Sequence, residues 1–290
     1  MHDGRYDQIQ YEVVERVATI TLDRTARRNA VSYPMLDELL DAFTRAESDD
    51  DVRAIVVTGA GDWFSAGTDL GTGAEGYDVG STGFKPLRGG TRDVGGELAL
   101  RIFASTRPVI AAVNGTAIGI GITMILPMDV RIGAEGARFG LPFVRRGIVP
   151  ESCATWFLPR VVGIATAVDW SVTGRIFPAD EALRAGLVRE LAPAADVLPR
   201  AVEVAREIAA TTSAVSVALT RQLLWRQLGA PHPMSANRLE SQALLALGAL
   251  ADVPEGIASF REKRAPAFPL RVPGDLPDFY PWFTEEPFDA

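Results

Sequence analysis

Apolar residues recur along this chain at two spacings. Ile9–Val14 and Ala18–Leu22 alternate or run apolar at strand length on either side of Glu15–Arg16, which predicts an opening hairpin. From Met35 to Ala46 the apolar side chains Met35, Leu36, Leu39, Leu40 and Phe43 fall at helical spacing. Ala54–Thr58 is a short apolar and β-branched run stopped by Gly59-Ala60-Gly61, the pattern of a buried strand ending in a loop. Residues 71–96 are rich in Gly, Asp, Ser and Thr and read as a long loop. A helix is expected near Glu97–Phe103, a strand over Val109–Val113, a helix near Ile120–Leu126 and a strand over Val130–Ala134. Alternation of apolar strands with helices implies an α/β core with largely covered sheets.

Past Glu151 the spacing turns helical throughout. Successive helices are predicted around Trp156–Phe157, Ala165–Val172, Asp180–Leu187, Val202–Ala209, Ser213–Leu228, Met234–Gly248 and Pro254–Arg264. Residues 265–290 hold six prolines together with Phe268, Phe279, Tyr280, Trp282, Phe283 and Phe288. So many prolines oppose regular structure, and the rings are expected to pack on a surface, the chain's own or a neighbour's. Pro108 to Pro127 is long enough and apolar enough to cross a bilayer, but Gly115, Gly119 and Gly121 break it, so a buried strand, a turn and a buried helix are expected.

Composition narrows the chemistry. With 290 residues, 47% of them hydrophobic, the chain can bury a large core, and a net charge of −8 points away from nucleic acid or anionic membrane. The lone cysteine, Cys153, excludes an internal disulfide and fits a reducing cytoplasm; the first residues show no signal-peptide pattern. Only His2 and His232 are present, which argues against most zinc sites and against Ser-His or Cys-His nucleophiles. No cofactor is expected, and a catalytic chain this poor in histidine must turn to carboxylates. Gly71-Thr72-Gly73-Ala74-Glu75-Gly76 has dinucleotide-loop spacing, but no strand leads into it and no helix opens after it.

Two strand-to-loop segments stand out. One runs Ile55-Val56-Val57-Thr58-Gly59-Ala60-Gly61 and on to Phe64-Ser65-Ala66-Gly67-Thr68-Asp69-Leu70; the other is Pro108-Val109-Ile110-Ala111-Ala112-Val113-Asn114-Gly115-Thr116-Ala117-Ile118-Gly119-Ile120-Gly121. In each, small residues after a strand let a ligand approach the backbone. Taken in order with Arg27-Arg28-Asn29-Ala30, Asp129-Val130-Arg131, Phe139-Gly140-Leu141-Pro142 and Gly147-Ile148-Val149-Pro150, they make the chain resemble the crotonase superfamily (enoyl-CoA hydratases and isomerases) from about residue 10 to about residue 265.

The resemblance implies a crotonase (ClpP-like) α/β fold, with repeated ββα units in a spiral core over 1–200, a helical assembly region over 201–264 and the aromatic tail over 265–290. It also implies an acyl-CoA thioester as substrate and a homotrimer or hexamer. The thioester oxygen would lie between the backbone N–H groups of Thr68 and Ile120, the second at a helix start that favours negative charge. Ala66, Gly67, Asp69, Leu70, Gly119, Thr123 and Phe143 would line the substrate, and Arg27, Arg28 and Lys263 are the cations carried over to the CoA phosphates. The chain departs from the hydratase pattern where that pattern has its two glutamates, carrying Thr123 and Phe143 instead. An acid follows nearby in Val149-Pro150-Glu151, in a context similar to Δ3,Δ2-enoyl-CoA isomerases, where one glutamate suffices to move a double bond. Glu151 is expected at the start of a helix, desolvated by Phe143, Val149 and Trp156. Asp69, Asp93 and Glu97 are rival acids. A hydratase using Glu151 and Thr123, or a protein that binds acyl-CoA without chemistry, are the other readings.

Overall fold

The structure is a computed structural model that describes residues 5–69 and 92–288. Leu70 and the glycine-rich stretch after it lie outside the described residues.

The chain opens with β1 (Ile9–Val14) and β2 (Val17–Leu22), an antiparallel hairpin, then α1 (Tyr33–Ser48). The Ser32 hydroxyl accepts from the Met35 N–H at 3.3 Å and starts α1, a cap worth about 1 kcal/mol. Met35, Leu36, Leu39, Ala42, Phe43 and Ala46 form its buried face.

Three ββα units follow. The first is β3 (Ala54–Gly59), β4 (Trp63–Ser65) and α2 (Val94–Phe103); the second is β5 (Val109–Val113), β6 (Thr116–Ile118) and the single turn α3 (Ile120–Thr123). The third is β7 (Val130–Ala134), β8 (Arg138–Gly140) and α4 (Ala154–Val162). The first strand of each unit joins one sheet and the second joins another. With α5 (Ile164–Thr173), β9 (Ile176–Pro178), α6 (Ala179–Arg184) and β10 (Glu190–Ala192), the sheets run β1-β2-β3-β5-β7-β10 and β4-β6-β8-β9. Apart from β1/β2 and β8/β9, all pairs are parallel. Every residue of β3 and β5 is buried, as near-continuous apolar runs require.

α7 (Ala194–Thr211) lies across the larger sheet, and α8 (Ala214–Gln227), α9 (Met234–Gly248) and α10 (Asp252–Glu262) complete the chain's regular structure. A buried guanidinium ties α8 to the core. Arg221 donates to Asp129 Oδ2 at 2.8 Å and to the carbonyls of Ile102, Phe103 and Ser105 at 2.9, 2.8 and 2.6 Å. The aromatic tail packs on its own chain: Val272 is buried with Val215, Ala218 and Leu219 of α8, and Phe279, Tyr280 and Trp282 flank them.

The apolar stretch from Pro108 is buried, and among the described residues no single helix is long and apolar enough to cross a membrane. Two expectations need correcting there and just beyond. Between the strand and the helix of that stretch stands a further strand, β6, and the helix stops at Thr123 rather than Leu126, the chain continuing in turns. Glu151 does not begin α4: Ser152 and Cys153 intervene, both left-handed at φ 56°, and the helix starts at Ala154.

Candidate active site

The site is assembled from the ends of β4 and β6. Their parallel pairing sets Trp63 beside Thr116 and Ser65 beside Ala117, so the loops that follow run side by side. Gly67 has φ +105°, and a Cβ there would come within 3.0 Å of the Ile118 carbonyl oxygen. Gly119 has φ +56°, and its would-be Cβ lies 3.8 Å from Gly67 Cα. A side chain at either position would therefore be strained and would separate the two backbones. Thr68 and Ile120 each follow one of these glycines. Among the described residues neither N–H meets an acceptor.

Side chains hold the first loop in place. Ser65 Oγ donates to the Asn29 carbonyl at 2.8 Å and accepts from the Gly67 N–H at 3.2 Å. Buried Asn29 donates to the carbonyls of Ala60 and Trp63 at 2.8 and 2.7 Å. The Ala66 N–H donates to the Arg28 carbonyl at 2.9 Å, which brings the Arg27–Arg28 turn against this loop. Both arginines are exposed, with Arg28 over the Trp63 ring at 5.1 Å. Asp69 pairs with Arg24 at 2.9 Å. Asn114 and Gly115 bind loop to loop: Asn114 accepts from the Gly59 N–H at 3.1 Å, and a Cβ at Gly115 would meet the Asp62 carbonyl oxygen at 2.1 Å.

Glu151 approaches from the third unit. Its Oε1 accepts from the Thr123 hydroxyl at 2.7 Å and its Oε2 from the Ser152 hydroxyl. Thr123 is fully buried on α3, three residues after Ile120, so the carboxyl is tied to the same turn that presents that N–H. Gly95 of α2 lies against it: a Cβ there would be 2.2 Å from Glu151 Oε2 and 3.2 Å from Ile120 Cδ1. Burial, helped by the negative charge of Asp93 and opposed by the two hydroxyls, raises the Glu151 pKa from 4.5 to about 7. The enclosure differs from expectation. Val149 is 77% exposed, whereas the Gly95 backbone lies against the carboxyl. Glu151 does not sit in the first turn of α4, which begins three residues later.

Phe143 is buried, with Cζ 3.9 Å from the position a Gly119 Cβ would take, so it walls the second loop. Lys263 is the exposed left-handed residue that ends α10, and none of its described contacts reaches the loops. Cys153 is half-buried and burial pushes its thiol up, the opposite of activation. Of the remaining acids, Asp93 caps α2 and Glu97 faces Arg92 at 3.7 Å. Sequence reasoning missed Ser152 and the structural use of Asp93, Asn29 and Arg24. The Asn29 contacts had a faint signal in the Arg-Arg-Asn-Ala motif; the others had none.

Parallel sheets built from ββα units, with two glycine-bent loops facing each other beside an enclosed carboxyl, define an enzyme of the crotonase class. Residues 12–271 match the Enoyl-CoA hydratase/isomerase family, and the chain belongs to it. It is 45% identical over 254 residues to Enoyl-CoA hydratase ACTT3 of Alternaria alternata, covering 87% of this chain and 82% of that protein. It is 32% identical over 263 residues to the 1,2-epoxyphenylacetyl-CoA isomerase of Escherichia coli, covering 88% and 96%. The crystal structure of enoyl-CoA hydratase from Bacillus anthracis superposes with a TM-score of 0.80 at 29% identity, over 90% of this chain and 99% of that one.

Proposed function

We propose that this enzyme moves the double bond of a 3-enoyl-CoA to the 2-position, with Glu151 as its acid and base. Glu151 takes a proton from C2, the thioester oxygen gains the negative charge, and the N–H groups of Thr68 and Ile120 stabilise it. Each such donor is worth roughly 3 kcal/mol of barrier. The proton returns at C4, which leaves the conjugated 2-enoyl product and an unchanged carboxylate. Ala66, Gly67, Asp69, Gly119, Thr123 and Phe143 would surround the acyl thioester, with Arg27, Arg28 and Lys263 as the cations for the CoA phosphates.

The observation that carries this reading is the Glu151 carboxyl, poised near pH 7 beside Ile120, where hydratase positions hold Thr123 and Phe143. Among the described residues the nearest other acid, Asp93, has both oxygens on backbone N–H groups. A hydratase is the second reading, favoured by the name of the Alternaria relative; Glu151 would then both activate water and deliver the proton.

Purified protein given 3-enoyl-CoA or 2-enoyl-CoA in isotopically labelled water separates the two. Conversion of the 3-enoyl ester without oxygen uptake is expected. Oxygen incorporation from the 2-enoyl ester as the faster reaction would replace isomerase by hydratase, and turnover undiminished in Glu151→Gln would remove Glu151 from either.

A further inference from the structure

Glu151 is followed by a backbone that few sequences adopt. Ser152 and Cys153 are consecutive non-glycine residues at φ 56°, a region where Cβ crowds the carbonyl. Such a turn persists only when its surroundings hold it. One contact does so from another unit: the buried Ser152 N–H donates to Asp93 Oδ2 at 2.6 Å. The other Asp93 oxygen, Oδ1, accepts from the Gly95 N–H at 2.9 Å and caps α2. Gly95 is also the residue whose backbone lies against the Glu151 carboxyl, and the Ser152 hydroxyl donates to that carboxyl. One carboxylate thus grips both sides of the acid/base.

We infer that Asp93 is a positioning residue, which by bonding the Ser152 and Gly95 N–H groups together holds the left-handed turn that aims Glu151 at the substrate. The inference rests on Glu151 being the acid/base. Both oxygens are used, so an amide with a single acceptor oxygen can satisfy one bond and not both. Asp93 also acts by charge, being one of the causes that raise the Glu151 pKa. The charged and titratable groups around it are Tyr33 of α1, which feels its charge, Arg92 and Glu97 on its own segment, and Glu151 and Cys153 opposite.

The test compares Asp93→Asn and Asp93→Ala with the parent enzyme on the substrate that Glu151→Gln fails to turn over. Asp93→Ala is expected to lower kcat at least about tenfold with KM changed much less, and Asp93→Asn to recover part of that loss. In Asp93→Asn the acid limb of kcat/KM should move to lower pH by roughly half to one unit, since a negative neighbour is gone. A change in folding stability alone would leave that limb where it was. If both variants keep parental kcat and an unmoved limb while Glu151→Gln is inactive, the positioning role is overturned and the Glu151 assignment stands. If Glu151→Gln is itself active, the assignment beneath it fails instead.

Discussion

At the residue scale the argument turns on where one carboxyl loses its proton. Raised to about 7, Glu151 is ionised and able to act as base only above that value, so kcat/KM should climb through pH 7 to a plateau. Glu151→Gln should cost roughly 10²- to 10⁴-fold at the plateau, measured by steady-state turnover. The same shift has a stability cost. Below about pH 4.5 the group is protonated whether the chain is folded or not; between 4.5 and 7 the folded chain binds more protons, so stability falls as pH rises. Denaturation at pH 8 should therefore find Glu151→Gln more stable than the parent, by up to about 3 kcal/mol, with the difference vanishing near pH 4. Thr123→Val keeps the shape and removes a hydrogen bond that favours the charged form, so its acid limb should move to higher pH, by about half a unit. Glu151 was legible as a candidate, the glutamate after Pro150, set among the rivals Asp69, Asp93 and Glu97. Its surroundings were not: a bond from Asp93 to the Ser152 N–H joins positions far apart in sequence, and no local pattern encodes it.

At the scale of elements, the long strands and helices could be read from spacing because burial imposes periodicity on them. β6, β8, β9 and β10 could not, for three residues carry less than two periods of alternation. α3 was overextended because residues past Thr123 are as apolar as a helix would be, although the chain there runs in turns. α2 was begun too late, at Glu97 rather than Val94, since Gly95 and Gly96 read as loop; they sit in the first turn because the carboxylates of Glu151 and Asp93 occupy the space of a side chain. This yields a separation of stability from activity. Gly95→Ala suits a helix by about 1 kcal/mol, and the atoms it displaces are the ends of the Glu151 and Ser152 side chains. The variant should melt within about 2 °C of the parent while kcat falls at least tenfold, a pairing that calorimetry and turnover check together.

At the scale of the whole molecule, α8 links core and tail. Its Arg221 is anchored among core carbonyls, and its Val215, Ala218 and Leu219 are covered by Val272. The Arg107 guanidinium, deep in the core, donates to the Val272 carbonyl at 2.6 Å, and Arg226 stands 3.2 Å over the Phe283 ring. Composition alone foretold that the tail's rings would find a surface; which surface depended on contacts between segments distant along the chain. Ending the chain after Arg264 should expose that face of α8 and strip a buried guanidinium of a partner. A loss of at least about 2 kcal/mol in chemical denaturation, with increased dye binding to apolar surface, is expected.

The way Glu151 is closed in has a stereochemical consequence. On the isomerase reading, a carboxyl held on one side of a flat dienolate, capped by two hydroxyls and a glycine backbone, would give back what it takes on that same side. Deuterium placed at C2 of the substrate should then reappear at C4 of the product faster than it washes out into the medium. Mass spectrometry of the product after a single turnover would reveal that migration.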